Sequence, residues 1–193
     1  MKTILFRPFE RYSEKTLVIV GVAFTLIGSL LGAAFQGRFD GVLDMHFVPS
    51  TSFYQVLIDN AINIFCLVLF LFLSAKYINN KTRLIDILTA AMVARIPYYF
   101  MVFGNINNTM SKASEEIMQL VNPEMIEQVG TSSLLLVIGF GLISIVFLIW
   151  YIALLYNGFK VASNAKGNTP IALFILSILL AEVLSKVLIH YLN

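Results

Sequence analysis

Charged and amide side chains occur inside stretches of the sequence that are otherwise apolar, and these side chains are the ones best suited to chemistry. A charged group inside the hydrocarbon of a membrane costs at least about 2.5–3.5 kcal/mol, so each one requires a partner or a function. The residues in question are Asp59, Asn60, Asn63, Asp86, Arg95, Glu182 and Lys186. Such groups either neutralise one another as structural ion pairs or form a site for a ligand, an ion or a proton.

Their depths in the apolar stretches predict which of these groups meet. At a helical rise of about 1.5 Å per residue, Arg95 lies about 16 Å and Glu182 about 18 Å from the same membrane boundary, near the midplane. Asp59 and Lys186 lie about 9 Å and about 6 Å below the opposite boundary. We therefore expect two ion pairs, Arg95–Glu182 and Asp59–Lys186. Together with the asparagines they would form one buried polar network that joins the second, third and fifth helices.

Pro97 adds a helix irregularity to this network. Proline has no N–H, so the carbonyl of Val93 loses its helical partner one turn earlier, close to Arg95. We expect a kink at this point and a polar pocket beside it. Two interpretations of the network remain open: a structural device that fixes helix register, which we prefer, and a transport or ligand site in which a buried carboxylate could relay protons.

The elements that must position these residues are membrane-spanning helices. The chain of 193 residues is 59% hydrophobic and 12% charged, which excludes a water-soluble globular domain. A bilayer core needs about 20 apolar residues in a helix. Five stretches qualify, and their continuous apolar character excludes the alternating strands of a barrel. They are residues 17–35, 53–78, 84–104, 132–156 and 170–191, in one all-α, polytopic membrane domain spanning residues 1–193.

Basic residues predict the orientation of the five helices. They are concentrated in the amino-terminal tail and in the second and fourth loops, whereas the alternate loops carry only Arg38 and Lys112. This bias predicts a cytoplasmic amino terminus and a carboxyl terminus outside. The first stretch is about twice as long as the apolar core of a secretory signal, so we expect an uncleaved helix. In the third loop, residues 105–131, Asn122-Pro123 predicts two short amphipathic helices, interpreted as a connector on the headgroups rather than a lid.

Small residues predict how the first helix packs. Gly21, Gly28 and Gly32 allow close approach of a neighbouring helix, and the last two form a GxxxG pair. Such packing within one chain uses the same chemistry as dimerisation.

The expected partners are the lipid bilayer and, as open alternatives, other membrane proteins or a second copy of this chain.

Several function classes are disfavoured by the sequence. A formal net charge of +2 argues against nucleic-acid binding, and a single cysteine, Cys66, excludes a disulfide framework. Asp40, Asp44 and His46 could bind a metal, but ordinary loop polarity is the preferred interpretation. The sequence has no Walker loop, zinc-protease motif or nucleophile elbow. We therefore expect no enzymatic activity, no cofactor and no metal.

Two segments carry a resemblance to a known family. Residues 94–97 read Ala-Arg-Ile-Pro, and Ile-Trp-Tyr at 149–151 leads through Leu154 to Gly-Phe-Lys at 158–160, a short polar loop and a final apolar helix. From the second helix onward the chain resembles the Yip1 domain family, whose five-span arrangement has the same orientation. Eukaryotic members bind Rab-type GTPases partly through longer amino-terminal regions, and residues 1–16 are too short for such a surface.

The resemblance is therefore to the compact bacterial members, which implies a bacterial cytoplasmic membrane. We expect a non-enzymatic protein that organises membrane or partner helices. The alternative is a small transporter or channel that uses Asp59, Arg95, Glu182 and Lys186.

Overall fold

The computed structural model describes residues 6–119 and 131–192, and this part of the chain is helical apart from short connections and one small hairpin. In chain order the elements are a 3₁₀ turn (Pro8–Glu10), α1 (Glu14–Ala34), β1 (Gly37–Arg38), β2 (His46–Phe47), α2 (Phe53–Ile78), α3 (Leu84–Ala94), α4 (Ile96–Tyr99), a 3₁₀ segment (Phe100–Asn108), α5 (Thr109–Gln119), α6 (Thr131–Ser163) and α7 (Thr169–Leu192).

Five helical segments are long and apolar enough to cross a membrane. They are α1, α2, the run Leu84–Met118 that contains α3 and α4, α6 and α7. This confirms the predicted all-α fold class and the five predicted helices of spanning length. Two segments extend well beyond their predicted ends: the run Leu84–Met118 continues past residue 104, and α6 continues past residue 156 to Ser163.

Local sequence explains where the helices begin and break. The Ser13 hydroxyl accepts a hydrogen bond from the Thr16 N–H at the start of α1, and Ser52 and Gln55 form a capping box at the start of α2. The irregularity predicted at Pro97 is present, because α3 ends at Ala94 and the short α4 begins at Ile96. Arg95 therefore lies at the joint between two helical segments.

The helices alternate in direction, which gives the bundle two ends. At one end, the Thr82 hydroxyl donates to the Ala162 carbonyl at 3.3 Å and the Asn157 amide donates to Glu10 at 3.2 Å. These contacts bring together the start of α1, the turn between α2 and α3, and the end of α6. We call this the amino-terminal end. The opposite end carries β1 and β2 and is called the hairpin end.

Packing of α1 explains its glycines. A Cβ atom at Gly21 would lie 2.8 Å from the Met92 Cβ, and one at Gly28 would overlap the ring of Tyr99. A Cβ at Gly32 would lie 2.7 Å from Val56 Cγ1. All three glycines therefore let α1 approach α2, α3 and α4 within the same chain.

The connection between α1 and α2 turns back into the bundle. Gly37 pairs with Phe47 and Arg38 with His46, so β1 and β2 form a two-stranded antiparallel hairpin. Residues 39–45 between the strands are called the inserted loop, because Phe39 and Val42 in it are completely buried. Irregular backbone at such a depth is tolerated only where its polar groups find partners inside the protein.

The third loop is described in part. Its first half forms α5, which packs against α6, and Met110 and Ala113 are the buried residues of this helix. α5 corresponds to the first of the two predicted short helices. The second predicted helix, with Asn122-Pro123, lies outside the described residues.

Candidate functional site

Two carbonyl groups of the inserted loop accept hydrogen bonds from side chains on neighbouring helices. The amide of Asn63 on α2 donates to the Phe39 carbonyl at 2.6 Å. Nη1 of Arg95, at the joint of α3 and α4, donates to the Val42 carbonyl at 3.2 Å. Asn63 and Arg95 are both fully buried. Two residues of the predicted network thus stabilise backbone rather than each other.

The N–H groups of the same loop are bound by α7. The Val42 N–H donates to the Ser185 hydroxyl at 3.2 Å, and the Leu43 N–H donates to Glu182 Oε2 at 2.7 Å. A carboxylate that accepts from a backbone N–H makes a strong, charge-assisted hydrogen bond. Next to these residues, a Cβ at Gly41 would lie only 2.7 Å from Glu182 Oε1. Glycine at position 41 therefore lets the loop backbone reach the carboxylate.

The expected pair of Arg95 with Glu182 is wrong. Nη2 of Arg95 donates instead to the Asn60 Oδ1 at 3.2 Å, and no carboxylate of a described residue lies within 4 Å of the guanidinium. The two groups bind adjacent residues of the inserted loop, which lies between them. It takes Glu182 as a partner for its N–H and Arg95 as a partner for its carbonyl.

Aromatic rings surround the Arg95 guanidinium in place of a carboxylate. The centroids of four rings lie within 5.4–6.0 Å of its Cζ atom. The rings belong to Phe39, Tyr98, Tyr99 and Tyr151. The negative face of an aromatic ring attracts a cation, and this attraction is strongest where water is excluded. We call Arg95 and these four rings the arginine cage.

Asn60 connects the arginine cage to α1. Its Oδ1 accepts from Arg95, and its amide donates to the Ser29 hydroxyl at 3.0 Å. Ser29 in turn donates to the Thr25 carbonyl at 2.8 Å. One buried amide thus links α1, α2 and the α3–α4 joint.

The expected pair of Asp59 with Lys186 is also wrong. Asp59 accepts two hydrogen bonds from Arg38 of β1, at 2.8 Å and 2.7 Å, while Lys186 contacts Asp44 at 2.6 Å and Glu182 at 3.3 Å. The segment between α1 and α2 supplies the opposite charge in both pairs, Arg38 from β1 and Asp44 from the inserted loop. Sequence reasoning missed Arg38 as a site residue. The available signal was that Arg38 is the one basic residue in an otherwise acidic loop.

A third ion pair crosses the hairpin. Nδ1 of His46 lies 3.0 Å from Asp40 Oδ1. The hydrogen bond to Asp40 is the main cause that raises the pKa of His46. Burial alone would raise the pKa of Asp40, but its contact with His46 outweighs this and the pKa is lowered. Because Asp40 pairs with His46 and Asp44 with Lys186, these acids do not converge as a metal site would require.

Solvent reaches this site from the hairpin end through a cavity of about 590 Å³, which we call the outer cavity. Its walls include Arg38, Asp40, His46, Lys186 and His190. The arginine cage does not line it.

A second cavity adjoins Pro97, and its walls are apolar. The prediction of a polar pocket beside Pro97 is therefore wrong. The polar side chain next to that kink, Arg95, is directed toward the four rings of the arginine cage instead.

Asp86 is separate from the network. It contacts Arg83 at 2.6 Å at the amino-terminal end, and Arg83 also contacts Glu14. These two acids raise the pKa of the exposed Arg83 guanidinium, with the hydrogen bond to Asp86 as the larger cause. The predicted site residues that meet around the inserted loop are therefore Asp59, Asn60, Asn63, Arg95, Glu182 and Lys186.

The arrangement can hold a loop inside a helix bundle and can exclude water from its centre. Comparison of the chain with known protein families, with characterised proteins and with solved structures found no match.

Proposed function

We propose that this protein is a non-enzymatic, multi-pass membrane protein that organises membrane lipid or partner helices, as a compact bacterial member of the Yip1 domain family would. The observation that supports this proposal is the closed layer that the arginine cage forms across the bundle. Arg95, Phe39 and Tyr151 are completely buried, and Tyr98 and Tyr99 are 1% and 2% exposed. A layer this closed supports a static role for the middle of the bundle.

The proposed orientation places the amino-terminal end in the cytoplasm of a bacterium. Among the described residues, this end carries eight basic and three acidic side chains, whereas the hairpin half, with the buried Arg95 included, carries four basic and six acidic ones. Positively charged ends of membrane proteins are retained on the cytoplasmic side. The charge difference thus supports a cytoplasmic amino terminus and an outward-facing hairpin.

Cysteine accessibility tests the static role. In a Cys66→Ala background, Ala181→Cys places a thiol on the α7 turn that carries Glu182, at a completely buried position. Val187→Cys, which lines the outer cavity, is the matched control on the same helix. We expect a membrane-impermeant maleimide to label position 187 from the hairpin side and to leave position 181 unlabelled from both sides. Labelling of position 181 in the intact membrane would contradict a closed, static centre.

A small transporter is the second candidate, and the outer cavity is the observation that favours it. This cavity extends to Arg38 and Lys186, whose partners Asp59 and Glu182 are carboxylates in the outer half of the bundle. Transport would require the arginine cage to open. Protein reconstituted in vesicles with an internal pH-sensitive dye would then carry a proton flux that vesicles without protein do not show. Equal flux in vesicles with and without protein would contradict proton transport.

A further inference from the structure

An apolar cavity of about 280 Å³ adjoins the α3–α4 joint, and the side chains that bind the inserted loop do not line it. Within residues 6–119 and 131–192, four segments form its walls: the amino-terminal segment, α1, the α3–α4 joint and α6. Tyr12 and Val20 line it from the first two, Val93 and Pro97 from the joint, and Trp150 from α6. The break at Pro97 thus forms part of one wall.

The cavity extends from the amino-terminal end to the middle of the membrane-spanning region. Tyr12 precedes α1, whereas Val93 and Pro97 follow the start of α3 by about 14 Å and about 20 Å at the helical rise. Half of a bilayer core is about 15 Å. The cavity therefore has the length of an acyl chain in one leaflet.

The cavity begins at the strongly basic end of the bundle. Arg11 and Lys15 are exposed and adjoin the lining residues Tyr12 and Thr16. The Arg7 side chain beside Pro8 is 66% exposed and lies 3.9 Å from Glu10, an exposed contact that a phosphate can replace. Basic side chains at this level attract acidic headgroups, at about 1 kcal/mol for each charge near the membrane surface. Charge and shape thus favour the same kind of occupant.

We propose that this cavity binds one acyl chain of an acidic phospholipid, whose phosphate lies at Arg7, Arg11 and Lys15. The leaflet concerned is the one on the side of the amino-terminal segment. This inference goes beyond the proposed function, because a transporter could hold the same lipid. It requires only that the chain lies in a membrane.

Trp150 provides a direct probe, since it is the one tryptophan of the chain and lines the cavity. Purified protein in a neutral detergent is titrated with phosphatidylglycerol that carries bromine on its acyl chains, because bromine quenches tryptophan fluorescence at short range. We expect quenching that saturates near one lipid per protein. Phosphatidylcholine with the same brominated chains should need about fivefold more lipid for each basic contact that contributes.

A pair of matched variants tests the location. Val20→Phe fills the cavity without adding a tryptophan, whereas Val22→Phe makes the same change at a position of α1 that does not line it. We expect Val20→Phe to reduce the saturating quenching at least severalfold and Val22→Phe to leave it unchanged. Thr16→Phe blocks the cavity from an exposed position and serves if Val20→Phe does not elute as folded protein.

Equal quenching in Val20→Phe, Thr16→Phe and Val22→Phe would overturn the assignment of the acyl chain. Equal midpoints for phosphatidylglycerol and phosphatidylcholine would overturn the acidic headgroup. Neither result bears on the accessibility of position 181, so failure of this inference is distinguishable from failure of the proposed function.

Discussion

Arg38 donates two hydrogen bonds to Asp59, at 2.8 Å and 2.7 Å, in a pair whose carboxylate is completely buried and whose guanidinium is 14% exposed. This bidentate contact connects the hairpin to α2. Two parallel hydrogen bonds fix both the distance and the orientation of the groups, which a lysine at position 38 could not do.

Asp59→Asn should destabilise the protein strongly, because it removes the carboxylate that binds the Arg38 guanidinium, whose side chain is only 14% exposed. Removal of one partner from a buried pair costs about 3–5 kcal/mol. The control is Lys186→Gln, since the Lys186–Asp44 pair is nearly half exposed and should contribute about 1 kcal/mol or less. Thermal unfolding of the two variants in detergent provides the comparison. Equal losses would contradict the assignment of Arg38–Asp59 as the buried pair.

Arg95 and Glu182 should behave as independent sites with respect to charge. We expect Arg95→Glu combined with Glu182→Arg to be no more stable than the single variants, because the inserted loop separates the two groups. Arg95→Ala and Asn60→Ala, by contrast, share a hydrogen bond at 3.2 Å and should couple by about 0.5–3 kcal/mol in a double-mutant cycle. Rescue by the charge exchange would show that the two groups do pair.

Gly28→Ala should destabilise the bundle, since the new methyl group would overlap the ring of Tyr99, a member of the arginine cage. Overpacking of a well-packed core costs about 1–3 kcal/mol. Gly139→Ala is the matched control, because nothing lies within 4 Å of the position of its Cβ. Alanine is favoured over glycine in a helix by about 1 kcal/mol, so this control should be neutral or stabilising. Unfolding temperatures of the two variants, measured side by side, would show the difference.

The His46–Asp40 pair predicts a pH dependence for the hairpin. The pKa of His46 is raised, chiefly by its hydrogen bond to Asp40. The stabilisation from this pair is therefore complete below pH 6.5, the pKa of an unperturbed histidine, and is lost as the pH rises through the higher pKa of His46 in the folded protein. Burial alone would raise the pKa of Asp40, but the contacts with His46 outweigh burial and lower it. The stabilisation from Asp40 is therefore lost as the pH falls below 3.8, through the lower pKa of this carboxyl in the folded protein.

The unmodified protein should lose about 1 kcal/mol or less of stability as the pH rises above 6.5, because His46 is half exposed. His46→Gln should abolish this loss. The measurement is the unfolding temperature of both proteins between pH 5.5 and about 8.5. Asp40→Asn should have the same effect, because it removes the main cause of the raised pKa. An unchanged pH profile in both variants would exclude this pair as its source.

The helices could be predicted from sequence because the requirement that sets them is local. Lipid demands a continuous apolar helix of a given length, and α2 begins and ends at the predicted residues, Phe53 and Ile78. The break at Pro97 was predictable for the same reason, since the missing N–H acts within one turn. Counting residues also predicted that Arg95 and Glu182 lie near each other along the bundle, and both bind adjacent residues of the inserted loop.

The partners of the polar residues could not be predicted in this way. Matching by depth assumes that only helices occupy the interior, whereas residues 39–45 enter it between α2 and α7. Their strands, Gly37–Arg38 and His46–Phe47, are too short to produce an alternating pattern. The hairpin and its loop bring their own charges, Arg38 in β1 and Asp44 in the loop, and their own backbone groups. The partners of Asp59 and Lys186 therefore depend on a segment without a periodic signal.

The order of the chain gives the inserted loop a consequence for biosynthesis. Val42 and Leu43 leave the ribosome well before their partners Ser185 and Glu182, which follow 143 and 139 residues later. Until α7 enters the bilayer, these two N–H groups have only water or headgroups as acceptors. Seating of the loop must therefore be a late event in assembly, and a nascent chain arrested before α7 would leave the hairpin open to protease.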